Sequence, residues 1–436
     1  MTHAHPQPAP SGDLPDAAPH NSENLLALQQ GIEKRARELG LDFDPVIFEV
    51  VTSRELNSVA AREGYPVRYP HWRWGMEFER LQKGYDFGAS KIYELVINNN
   101  PVYAYLLGSN SLMEQKMVMA HVYGHADFFK NNLFFENSER KMLDQMGNHA
   151  ARIKQYMAQY GETVVEEWID LCRSLENLIG PAPGPIRRDP PDPSAVPEQD
   201  VLRLLIERAV LEDWQRDVLS IVRAEAHYFL PQARTKIMNE GWAAYWHSKM
   251  MTEELALGSE IVDYCETHAS GVAKHPKGIN PYQLGLAIFR DIAAHHENGI
   301  QKIFDVRRTH NDVTFIDEFL TRELAERDGI IEYERSRLKR RSKEEIFNQF
   351  KTELLQGLSN RGEPRFTVID HNFNGNGDLY LRHEDDGQEL DQGKATATMA
   401  NLVKLWGKGV HVETSLEGKR VVINHYGFFH TQRPLQ

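Results

Sequence analysis

The chain has 436 residues, of which 41% are hydrophobic and 10% aromatic, and carries a formal net charge of −13. That length predicts two domains plus tails, with ample apolar material for a packed core. The acidic balance argues against sequence-independent binding to nucleic acid, the two cysteines against a disulfide framework or a Cys-rich zinc module, and no apolar run reaches the ~18–20 residues of a membrane span.

Residues 1–20, rich in Pro, Ala and His, read as a disordered tail. The N-terminus lacks the basic and apolar regions of a secretory signal, so the cytoplasm is the expected compartment. From Asn21 the apolar positions recur near period 3.6 and predict a helix. The stretch YPHWRWGMEFERLQKGYDFG crowds Tyr69, His71, Trp72, Trp74 and Phe78 together, as core or as the wall of a pocket. KIYELVINNNPVYAYLLG reads as two short strands joined at Asn98 to Asn100. Helices are expected over 111–130, 137–160 and 162–179. Residues 181–197 hold seven prolines and form an exposed insertion within one domain, because ligand-like motifs lie on both sides of them. Helices resume at 198–229, 232–256 and 281–300.

A charge-rich helical connector follows over 311–358. Its basic run, Arg335 to Lys343, is a solvated helix face or, as the alternative, a patch for an acidic partner. Beyond it, FTVID, a Gly/Asn turn and DLYLRH make a hairpin; a helix spans 395–407; VHVET and RVVINHY make a second hairpin. The expected fold class is therefore α+β: a predominantly α-helical domain over 21–310, then a small ββαββ domain at 359–436. Asp370-x-Asn372-x-Asn374-Gly375 mimics the start of an EF-hand loop, but the twelfth position is Leu381, and a hairpin turn explains it better.

The chemistry concentrates in two helical segments. In AHVYGHADFFKNN, His121 and His125 are four residues apart, so both rings stand on one helical face; Gly124 between them permits close approach of another backbone. In NEGWAAYWH, Glu240 and His247 are two turns apart, again on one face. The plain alternatives are hydrogen-bonded core histidines and a glutamate at a helix start, where the dipole favours it. Yet burying Glu240 among Trp242, Tyr245 and Trp246 without a cation or hydrogen-bond partner would cost roughly several kcal/mol. The expected ligand set is His121, His125 and Glu240 around one divalent metal, with His247 a fourth ligand or a partner behind the others. Imidazole with carboxylate suits zinc, then Fe²⁺ or Mn²⁺. Glu114, on the same face, and His227 are the candidates for catalytic work, with Asp127 and Glu225 the other available carboxylates and His227 alternatively a partner behind the ligands.

Five blocks in order, PHWRWGMEFERLQKGYDFGASKIYELVINNNP, HVYGHADFFKNN, EGWAAYWH, NPYQLGLAIFRDI and WGKGVHVET, resemble the SpoVR-like family (stage V sporulation protein R) from about Leu41 to the C-terminus. The resemblance implies a link to spore cortex formation in spore formers and to stress or stationary-phase physiology elsewhere. It also implies a serine protein kinase and a von Willebrand A-type protein as partners, and no settled reaction. The metal pattern is similar to the gluzincin arrangement of zinc peptidases, a zincin-like site, with one departure: the general-base glutamate after the first histidine is Val122 here, and the inverted form fails at Gly124. Two readings follow. One is a metal-dependent hydrolase of amide bonds, with peptidoglycan or its precursor as substrate class; the other is a non-enzymatic regulatory scaffold.

Overall fold

In the computed structural model, which describes residues 22–86, 93–181, 199–273, 278–332, 341–384, 387–427 and 430–434, the chain opens with α1 (Ser22–Glu38), β1 (Val46–Val51), α2 (Ser53–Ala61) and α3 (Trp72–Asp86). The tail at 1–20, nearly all of the proline-rich run and most of the basic run lie outside the described residues. β2 (Glu94–Ile97) and β3 (Val102–Leu107) are the two strands expected around Asn98 to Asn100, paired antiparallel. β1 runs parallel to β3 on its other side, in the order β1-β3-β2. Sequence reading missed β1, because a six-residue apolar run such as VIFEVV has no period that separates strand from helix. Residues directly opposite in a pair share a face. The register Glu94↔Leu106 and Val96↔Ala104 therefore sets Glu94 among core-facing apolar positions, while Leu95, Ile97, Tyr103 and Tyr105 face a smaller core with Leu56 and Met146.

α4 (Leu112–Asn131) begins at a capping box in which Ser111 and Glu114 satisfy each other's backbone N–H groups. After it come α5 (Met142–Tyr160), α6 (Glu162–Arg173), α7 (Val201–Arg208), α8 (Asp213–Arg234) and α9 (Lys236–Met250). A π-helical turn at Met251–Leu255 leads to α10 (Ile261–Gly271), α11 (Pro281–His295), α12 (Gly299–Thr309), α13 (Asp312–Phe319), α14 (Arg322–Arg327) and α15 (Lys343–Leu358). Two boundaries differ from expectation. The helix foreseen over 198–229 breaks before Glu212, which opens α8 with its own capping box to Gln215. α8 then runs on past Pro231 to Arg234: the ring forfeits one N–H bond within the helix, and the Thr235 hydroxyl donates to the Pro231 carbonyl at 2.8 Å.

α4 and α9 are apolar nearly all round because both are enclosed: α9 lies between α4 and α11 at the centre of the main core. The crossings are backbone to backbone. A Cβ on Gly124 would sit 2.7 Å from the Ala243 Cα, and one on Gly241 would sit 2.3 Å from the Gly285 carbonyl carbon. The first turn of α9 is tied down by Asp312, whose two oxygens accept from the Ile237 and Met238 N–H groups at 2.9 Å each.

The C-terminal part holds β4 (Phe366–Phe373), β5 (Asp378–His383), α16 (Gln392–Trp406), β6 (Val410–Leu416), β7 (Lys419–His425) and β8 (His430–Pro434) in one sheet ordered β4-β5-β6-β7-β8. Both expected hairpins and the helix between them are present, and β8 is an addition. The EF-hand-like run is a hairpin turn, with left-handed φ at Asn374, Gly375 and Gly377. The fold is thus α+β and mainly helical. Val368, Leu381, Val412 and Ile423 of the sheet share one core with Ile169, Leu202 and Val218 of α6 to α8. Tyr69 and Trp74 of the aromatic run enter that core, whereas Trp72 stays outside and donates its indole N–H to Asp170 at 2.8 Å. Among the described residues no helix is long and apolar enough to cross a membrane.

Contact this close at Gly241 makes a sharp prediction. Gly241→Ala should destabilise the chain by about 2–3 kcal/mol or prevent folding, because two backbones must separate. Gly147→Ala, inside α5 with nothing within 4 Å of the added carbon, should instead stabilise by about 0.5–1 kcal/mol. Denaturant unfolding of the two variants checks the pair; a Gly241→Ala protein as stable as the wild type would contradict the packing.

Candidate metal centre

One turn apart on α4, His121 and His125 direct their Nε2 atoms at Glu240 on α9, with Nε2–Oε2 separations of 3.5 and 3.6 Å. One donor atom from each of the three lies within 4.8 Å of the others, and among the described residues no other group of three His, Cys, Asp or Glu side chains converges so closely. His121 Nε2 and Glu240 Oε2 are both buried, and neither has a hydrogen-bond partner. Buried polar atoms are seldom left so, since each forfeits its hydration. Zinc bonds of about 2.0–2.2 Å in a tetrahedron separate ligand atoms by about 3.4 Å, and the two histidine–glutamate spacings of 3.5 and 3.6 Å are close to that value.

Behind the three donors the remaining ring nitrogens are held. His125 Nδ1 is 2.9 Å from Asn239 Oδ1, an acceptor, which puts the hydrogen on Nδ1 and leaves Nε2 bare. His121 Nδ1 is 2.9 Å from His247 Nδ1, and His247 Nε2 is 2.9 Å from His268 Nδ1. If His121 donates along this chain, its own Nε2 is bare as well and the last hydrogen sits on His268 Nε2. His247 uses both ring nitrogens on neighbouring imidazoles, so it stands behind His121 and not beside it.

The electrostatics follow from burial. It drives His125 down to about 4, helped by His121 and opposed by Glu240 and Asn239, and pushes His247 well below the usual imidazole range, with His121, His268 and Arg290 adding to the effect. His268 is also brought down to about 4, by burial and then Arg290. Burial alone would raise Glu240, but His121, His125 and the Tyr282 hydroxyl outweigh it and hold the carboxylate below its ordinary value. Tyr282, at the start of α11, lies nearly parallel to the His121 ring at 5.9 Å. Its own hydroxyl is raised by burial and by Glu240 and Glu94.

Glu94 is the residue that sequence reading missed. Burial raises its carboxyl, His121 lowers it and Glu240 raises it again, so it lies in the field of the same cluster. The signal was a charged residue at a core-facing strand position, readable only once the register with β3 is known.

The other carboxylates and His227 are not brought here. Glu114 is occupied in the capping box, its Oε2 accepting from the Ser111 N–H at 2.6 Å. His227 Nε2 is 3.1 Å from Asp200, which also binds Arg223. Glu225 pairs with Arg68 at 2.5 Å and His149 at 3.1 Å. Asp127 accepts from the Trp242 indole at 2.8 Å and the Asp42 N–H at 2.8 Å, and lies 3.3 Å from Arg307. Val122 is packed in the main core.

Compared with known proteins, residues 20–194 and 187–363 match the family described as SpoVR like protein, and residues 364–417 match the SpoVR-like C-terminal domain. The chain is also similar to a protein of Escherichia coli (strain K12) named "Uncharacterized protein YcgB", at 28% identity over 469 aligned positions that cover 88% of this chain and 91% of the relative. No solved structure matches.

The depressed histidines make stability depend on pH. His268 has a folded value near 4, below the ~6.5 of an unfolded histidine, so the unfolded chain binds its proton first. The stability that this neutral ring contributes is complete above about pH 6.5 and is lost progressively as pH falls toward 4. In metal-free protein, His268→Gln should flatten the fall of stability between pH 6.5 and 4, by up to about 1.4 kcal/mol per pH unit. Denaturant midpoints across that range check it; parallel curves for wild type and variant would show that His268 is not held neutral.

Proposed function

The chain belongs to the SpoVR-like family, and on that footing we propose that it is a hydrolase dependent on a divalent cation, zinc before iron or manganese, acting on an amide bond. The observation that carries this reading is the pair of buried, partnerless atoms, His121 Nε2 and Glu240 Oε2, set with His125 Nε2 at ligand spacing around one point. A divalent cation bound there would polarise a carbonyl and lower the pKa of a water.

The remaining work falls to the chain's own groups. Asn239 and His247 fix the two imidazoles with bare Nε2 atoms facing Glu240. Tyr282 steadies the Glu240 carboxylate and covers one face of His121. Glu94 is the proton acceptor that Val122 does not provide: it comes from a strand instead of the histidine helix, and burial raises its affinity for a proton toward that of a useful general base. Peptide-type amides of peptidoglycan or its cytoplasmic precursor are the substrate class to try first, in keeping with the family's tie to the spore cortex. A serine protein kinase and a von Willebrand A-type protein belong to the same proposal, as partners that set when the hydrolase acts in stress or stationary phase.

Protein purified without chelator or His tag should hold about one zinc per chain by elemental analysis. His125→Ala should lose the zinc yet melt within a few degrees of the wild type, because the apolar core around α4 and α9 folds without it. Glu94→Gln should keep the zinc and slow cleavage of peptidoglycan-derived amides by about 10²–10⁴-fold. Wild-type protein without metal, or wild-type protein that cleaves none of these amides, overturns the hydrolase and leaves the scaffold standing; full cleavage by Glu94→Gln removes Glu94 from the role of base.

A further inference from the structure

Behind His247 lies a cavity of about 360 Å³, between the end of α9, the π-helical turn, α10 and α11. It is distinct from the metal centre: His121 to His247 and His247 to His268 are ring-to-ring steps of 5.0 and 5.1 Å, and of these three only His268 reaches the cavity wall. Three donors border it, and their state is unusual. Arg290 has no carboxylate within ion-pair distance among the described residues; its Nη2 lies 3.4 Å from the Ser248 hydroxyl. The neighbouring Lys249 is different, being neutralised by Glu253 at 2.5 Å. Tyr264 is only 2% exposed, yet its hydroxyl has no hydrogen-bond partner. His268 has Nδ1 engaged by His247, which leaves Nε2 for the cavity.

An exposed arginine alone is an ordinary surface feature. Here it overlies a concave site beside a buried, unused hydroxyl, and its positive field reaches His247, His268, Tyr264 and Tyr245; the carboxylate that also borders the cavity, Glu253, is engaged by Lys249. The hydroxyls of Ser248 and Thr252 are turned back onto helix carbonyls at 2.9 and 2.7 Å, so they present oxygen atoms and the charge-bearing contact is left to Arg290. A guanidinium fork flanked by O–H and N–H donors is matched by an oxyanion. The volume exceeds what a bare ion fills and lies in the range of small-molecule sites.

We propose that this cavity binds a small molecule through its oxyanion group, phosphoryl or carboxylate, held by Arg290, the Tyr264 hydroxyl and His268 Nε2. The site needs no cation at the His121 centre, so it stands or falls separately from the hydrolase. The test uses the full-length chain, treated with chelator and titrated calorimetrically with inorganic phosphate and, separately, with acetate, at ionic strength held constant with sodium chloride. Wild type should bind one of the two saturably at one site; tighter phosphate identifies a phosphoryl ligand and tighter acetate a carboxylate. Arg290→Gln should weaken that binding about tenfold or more and Tyr264→Phe a few-fold, while Arg308→Gln on α12 leaves it unchanged. Tyr264→Phe keeps the ring that packs with Met113 and Met251, Arg290 lies outside the apolar clusters, and circular dichroism verifies that both variants fold. No saturable binding of either anion to wild type, or equal binding by Arg290→Gln, overturns the proposal.

Discussion

Helix α9 touches the backbones of two neighbours at once, at Gly124 with Ala243 on one side and at Gly241 with Gly285 on the other. Where side chains intervene, helices can slide and repack; where backbones meet, little can give. This double contact fixes the height and rotation of Asn239, Glu240 and His247 against His121 and His125. Asp127 reinforces it from below, joining the α1–β1 connection through Asp42, α9 through Trp242 and α12 through Arg307. Its carboxyl is pushed up to about 6 by burial, against the pull of Arg307 and its hydrogen bonds, so the brace itself is held at some cost.

Two of the buried carboxylate–histidine clusters in the helical part make an informative contrast. Around Glu225, Arg68 contributes a full positive charge and His149 a further hydrogen bond, and the carboxylate is held below its usual range although burial opposes this. Around Glu240 no arginine or lysine among the described residues lies within ion-pair distance; two imidazoles, one of them driven to about 4, and a tyrosine hold it, with Glu94 in the same field. The first cluster is complete as protein. The second has the composition of one from which a positive charge has been omitted.

Much of this was legible in the sequence, for a physical reason. Helical spacing converts directly into a face, so His121 with His125 and Glu240 with His247 could be paired on paper, and Gly124 could be read as a crossing point. β2, β3 and the C-terminal hairpins were legible from their turn residues. What could not be read was which side of a strand meets which helix, and Glu94 shows this: its position is ordinary until pairing with Leu106 turns it toward α4. Tyr282 and His268 come from helices whose packing against α9 leaves no local trace. Glu114 is a different case, because Ser111-x-x-Glu114 spells a capping box, and that nearer use of the carboxylate outranks its place on the histidine face.

The core beneath the C-terminal sheet has a consequence for how the chain is made. Ile169, Leu202 and Val218 come early in the polypeptide, but Val368, Leu381, Val412 and Ile423, which close over them, emerge from the ribosome some 150 residues or more later. Side-chain bonds from Asn177 to Glu363 and from Gln199 to Glu384 likewise await those residues. Helices α4 and α9 have their partners within the first part of the chain, so they can mature during translation. The α6 to α8 layer cannot, and for that interval it presents an apolar surface that chaperones would have to shield until the sheet has been made.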